Sequence, residues 1–116
     1  MTEIGYKVVW KREGHLVSSW QLPCEGGVIY KINKKTTPRL SCGPLCVFAS
    51  LQDIKQYENS YLLINKFLFR CEYEPSNEKS VWYGSKSEFE EEDLYSLLQG
   101  TRLAKWVKLL EEIKNE

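Results

Sequence analysis

Long apolar runs are missing from this chain: no stretch of about 18 apolar residues occurs among its 116. Nothing in it is long enough to cross a bilayer as a helix. The opening MTEIGYKVVWKREG carries charges every few residues and no apolar signal core, so the expected location is cytoplasmic. Histidine is almost absent. His15 is the only one, and the sequence supplies no identifiable partner for it as general base or metal ligand. No glycine-rich phosphate loop, H-E-x-x-H, G-x-S-x-G or cysteine–histidine dyad motif is found, which removes the main support for hydrolase and NTPase chemistry. Charge of one sign is not in excess either. Sixteen basic and 16 acidic residues cancel, arguing against a whole-surface affinity for nucleic acid or acidic membranes.

What is present suits one hydrophobic core. Apolar residues make up 42%, with four Trp and seven Tyr, and the length fits a single domain spanning 1–116. The four cysteines match the number a structural zinc needs, but only Cys42 and Cys46 are close in sequence, whereas zinc ribbons present close pairs twice. Cys71 falls in the apolar phase of a strand, where a thiol packs as a small hydrophobe. Free thiols and no bound metal are therefore expected. The neutral total hides an asymmetry: residues 1–40 hold seven Lys or Arg against three Glu, a net of +4, and residues 41–116 hold nine against thirteen, a net of −4.

Period-two alternation in GYKVVWK predicts a strand, the Arg12-Glu13-Gly14-His15 stretch a turn, and HLVSSW the returning strand of a hairpin. Val28, Tyr30 and Ile32 alternate as a third short strand. Residues 33–46, polar and broken by Pro38 and Gly43-Pro44, read as a long loop. Ser50, with Asp53 three residues on, caps a helix over about 50–58. Leu62 to Tyr73 reads as a long central strand with Phe67, Phe69, Cys71 and Tyr73 on one face, and Val81-Trp82-Tyr83 as a shorter strand. Ser87-Glu88-Phe89-Glu90 matches a capping box, so a second helix is expected to run to Gly100, its acidic run serving the helix N-terminus. Residues 101–113 fit either a helical face or a strand. The predicted class is α+β, a mixed and largely antiparallel sheet of about five or six strands with two or three short helices packed on it.

The strongest functional candidate is the basic stretch from Tyr30. Lys31, Lys34, Lys35 and Arg39 supply positive charge, Thr36 and Thr37 hydroxyls, and Tyr30 an aromatic face. That combination suits a protein partner or a small phosphorylated ligand, bound without catalysis or cofactor. A solvated, solubilising loop has the same composition.

Five phrases, GYKVV, GPLCVFASLQDIKQY, CEYEPS, WYG and GTRLAKWVKLL, together resemble a group of small uncharacterised proteins of bacteria and phages. The resemblance covers most of the chain and implies that GTRLAKWVKLL begins as a sheet strand. The order of elements more loosely resembles the ADP-ribosyltransferase fold, which implies an alternative enzymatic reading with NAD as cofactor. There Lys7 stands where that family has a first-strand arginine, Ser18 or Ser19 where it has a serine, and Glu90 and Glu92 where it has an E-x-E turn.

Overall fold

The alternating stretch EIGYKVVWKR forms a ten-residue strand, β1 (Glu3–Arg12), in the computed structural model, which describes residues 1–18, 28–38, 42–55, 66–85, 88–93 and 100–113. The chain reverses through Glu13 and Gly14, both left-handed with φ of 52° and 83°. Two such residues give a tight turn whose twist matches the strands on either side. Strand β2 (His15–Ser18) returns with His15 opposite Arg12, as the alternation and turn residues predict.

Four short strands follow: β3 (Ile29–Tyr30), β4 (Lys35–Thr36), β5 (Cys42–Gly43) and β6 (Leu45–Phe48). Helix α1 (Leu51–Lys55) starts at the predicted cap. The Asp53 N–H donates to Ser50 Oγ at 3.2 Å, and the Ser50 hydroxyl donates to Asp53 Oδ2 at 2.9 Å, so the first turn has its donor satisfied. The remaining strands are β7 (Phe67–Pro75), β8 (Ser80–Ser85), β9 (Glu88–Asp93) and β10 (Thr101–Ile113).

The pairing of the seven-stranded sheet closes on itself. Strand β7 pairs with β1 on one side and β10 on the other, and β6 joins those same two strands again through Tyr6–Phe48 and the Thr101–Ala104 stretch. That ring removes the open edges along its wall. Farther along, β1 leaves β6 for β2, which carries β3, while β4 lies against β10. A separate three-stranded sheet has the order β5-β8-β9.

Alternation decides which side chains fill the ring. Gly5, Lys7 and Val9 stand opposite Cys71, Phe69 and Phe67, so these six share its inner face. Val9, Val28, Tyr30, Leu45, Val47, Phe69, Cys71, Tyr73, Ala104, Val107 and Leu109 form one buried cluster there, each large apolar member contributing about 1.5–3 kcal/mol relative to exposure. Gly5 is required by closeness: a Cβ there would lie 2.9 Å from both the Tyr73 ring and the Phe48 carbonyl oxygen. On the outer face Val8, Phe48 and Ile54 of α1 cluster with Tyr6 and Leu68.

The class differs from the predicted α+β arrangement. The described chain is mostly antiparallel strand, in two sheets, with one short helix. The helix expected from Ser87 is a strand over Glu88–Asp93, because residues 88–93 pair in full register with β8, Ser85 opposite Glu88. Only two residues join that pair, the length of a hairpin connection; the capping-box pattern is outweighed by the ladder. The rest of that expected helix, 94–99, lies outside the described residues, as do 56–58 of the first. Residues 33–46 are likewise no single loop, since β4, β5 and the start of β6 lie within them. The two-way reading of 101–113 resolves to strand β10.

Candidate binding surface

The basic stretch is built on a turn that the sheet holds rigidly. Val28 and Tyr30 are buried, at 3% and 2% exposure, and anchor β3 to the core, whereas Ile29 and Ile32 remain 48% and 49% exposed. Asn33 then takes the left-handed conformation, φ 65°, which asparagine tolerates better than most residues. The Lys34 N–H donates to the Lys31 carbonyl at 3.2 Å, closing the turn, and the Asn33 N–H donates to the Leu109 carbonyl at 2.8 Å. Ile32 forms a parallel bridge to Leu109, and Lys35 and Thr36 pair with Lys108 and Val107. Lys31, Lys34 and Lys35 are consequently exposed side chains on a backbone fixed to β10.

Electrostatics separates this turn from the wall beside it. On the wall, Lys105 meets Glu74 at 3.2 Å, Arg70 meets Glu111 at 2.7 Å and Lys108 meets Glu72 at 4.0 Å. Lys105 hydrogen bonding and then the Trp106 N–H hold the Glu74 carboxyl below its usual range. No acidic residue occurs from Val28 to Pro38, and Lys31 and Lys34 make no ion pair among the described residues. The uncompensated positive charge is therefore local. The turn's Asn33 and Lys34 N–H groups are already used, so neither is left to cradle an anion.

The structure thus brings Lys31, Lys34 and Lys35 together and turns Tyr30 inward, where no ligand stacks on it. Arg39 lies outside the described residues. The alternative set is distributed over three strands: Lys7 on β1, Ser18 opposite Val9 on β2, and Glu90 and Glu92 on β9, opposite Tyr83 and Val81 in the other sheet. Lys7 is 1% exposed inside the ring. It sits where the wall forks, between Tyr6, paired to β6, and Val9, paired to β2. Its Nζ donates to the Cys46 carbonyl at 2.5 Å and lies 5.5 Å from the Tyr30 ring centroid, contacts that offset part of the cost of burying it.

Ile29 and Trp106, which the sequence did not single out, belong to the surface, and so does Ile32, which alternation put in phase with Val28 and Tyr30 but which is exposed where they are buried. The Lys35 Nζ lies 4.4 Å from the Trp106 ring centroid. Only the pairing of β4 with β10, strands more than 70 positions apart, makes Lys35 and Trp106 neighbours, and no local pattern carries that. His15 is exposed at the start of β2. Cys46 and Cys71 are buried, at 2% and 0% exposure; Cys24 lies outside the described residues. Among the described residues no group of three or more His, Cys, Asp or Glu could hold a metal, and no helix is long and apolar enough to cross a membrane. No protein-family model, curated protein or solved structure matches the chain.

Proposed function

We propose that this domain is a non-enzymatic binding module that recognises an acidic segment of another protein through the turn at 31–35, which carries Ile32 and is preceded by Ile29. The observation that carries this reading is the pairing of uncompensated lysines with half-exposed isoleucines on a pinned turn. Charge steers an acidic partner and sets its orientation, and the isoleucines supply apolar area that water-exposed ion pairs lack. A fixed backbone lowers the ordering cost of binding. A small phosphorylated ligand fits less well, because the Asn33 and Lys34 N–H groups are committed and its grip rests on flexible lysine side chains and the Thr36 and Thr37 hydroxyls.

Backbone amide resonances recorded during two titrations test the reading, one with a peptide of alternating Glu and Leu and one with inorganic phosphate. Saturable shifts confined to residues 29–36 with the peptide, weakening as salt is added, are expected. Shifts with phosphate alone, or peptide shifts elsewhere on the domain, would overturn it in favour of a phosphate site or a different surface.

A further inference from the structure

Beside the turn, the wall carries a linked group of four side chains. Trp106 stands opposite Glu74 on β7, and the register slips between Ala104 and Trp106, leaving Lys105 as the extra residue. Such a slip re-aims side chains, and here it lets two consecutive residues reach one carboxylate. The Trp106 Nε1–H donates to Glu74 Oε1 at 3.0 Å, while Lys105 Nζ lies 3.2 Å from Glu74 Oε2. With its edge fixed in this way, the indole presents a ring to Lys35, whose Nζ lies 4.4 Å from the centroid. Lys35 opens the two-residue strand β4 and also stands opposite Lys108, a like-charge pair that disfavours the register. The indole offers Lys35 a compensating attraction.

We propose that Trp106 is the positioning residue of the binding turn. By holding Lys35 it keeps β4 in register on β10, and so fixes the spacing at which Lys31 and Lys34 meet a partner. Lys35 is then a strut, and the contacting cations are Lys31 and Lys34. The inference rests on the binding reading for its consequence; its structural half stands on geometry alone.

Amide exchange and affinity for the Glu–Leu peptide, measured together on the full chain, test both halves. In Trp106→Leu, exchange at Asn33 to Thr36 should quicken about fivefold or more while β1 and β7 keep their protection, and affinity should fall about fivefold, as loss of one partly desolvated cation–π contact implies. Lys35→Met, on an exposed residue, removes the attraction to the indole together with the repulsion from Lys108 and should quicken the same amides less than Trp106→Leu does, and Lys35→Arg should keep wild-type behaviour. Local exchange unchanged in both Trp106→Leu and Lys35→Met would overturn the positioning role. So would exchange that rises equally across the whole ring. A wild-type domain that fails to bind the peptide sinks the binding reading and leaves the exchange result to decide the positioning role.

Discussion

Lysine is used in opposite ways in two regions of this molecule, the interior of the strand ring and the turn at 31–35. Lys7 is 1% exposed, bonded to a backbone carbonyl and set near an aromatic ring at the point where the wall forks. Lys31 and Lys34 are exposed and make no ion pair among the described residues, on a stretch that contains no acid. The difference teaches that burial and partners, and not residue type, decide the role. Inside, the stem fills volume and the amine bonds a backbone carbonyl; outside, uncompensated charge remains free to attract.

Substitutions inside the ring should have the largest effects. Lys7→Ala removes a packed stem and the donor to the Cys46 carbonyl, and should cost about 3 kcal/mol in a denaturant melt. Lys7→Met keeps the stem and loses only that donor, and should cost about 1–2 kcal/mol, less than Lys7→Ala. If the two variants cost the same, the amine matters and its stem does not. Gly5→Ala pushes a methyl against the Tyr73 ring and the Phe48 carbonyl, at a cost of about 2 kcal/mol.

Tyr73 gives the interior a pH signature. Burial, followed by the Glu3 charge and a hydrogen bond donated to Glu3, pushes its pKa up from 10.0 to about 12. The unfolded chain ionises this phenol near 10 and the folded chain does not, so the unfolded state gains above that pH. The stability difference between wild type and Tyr73→Phe should therefore be constant below about pH 10 and change against wild type between 10 and 12, read from urea midpoints. A difference that stays flat through that window would show that the hydroxyl is not shielded. Smallest of all should be the outer pair: Lys31→Glu with Lys34→Glu should change stability by less than about 0.5 kcal/mol, because exposed, unpaired side chains hold nothing together.

Much of the strand content was legible in local patterns. β1, its two-residue turn, the capped start of α1 and the inward face of β7 all follow from spacing of a few residues. Strand β10 was ambiguous for a physical reason. Its register slips at Lys105 and again between Leu109 and Glu111, so its buried residues recur at mixed spacings, with Leu103 and Ala104 buried side by side, and imitate a helical stripe. The β9 segment has the local pattern of a helix because acidic residues suit a helix start, while the competing cause, its ladder with β8, is a tertiary one. Ring closure and the burial of Lys7 depend on strands distant in sequence. Of the candidate surface, the lysines were legible from composition; the inward turn of Tyr30 and the support from Trp106 were not.

The central claim is that outward, uncompensated charge on a fixed turn makes the recognition surface. The most direct test compares wild type with the Lys31→Glu, Lys34→Glu variant for affinity toward the Glu–Leu peptide at low salt, alongside the melting temperature of each. The expected result is at least a tenfold loss of affinity with melting unchanged. Equal affinity in the two proteins would contradict the account.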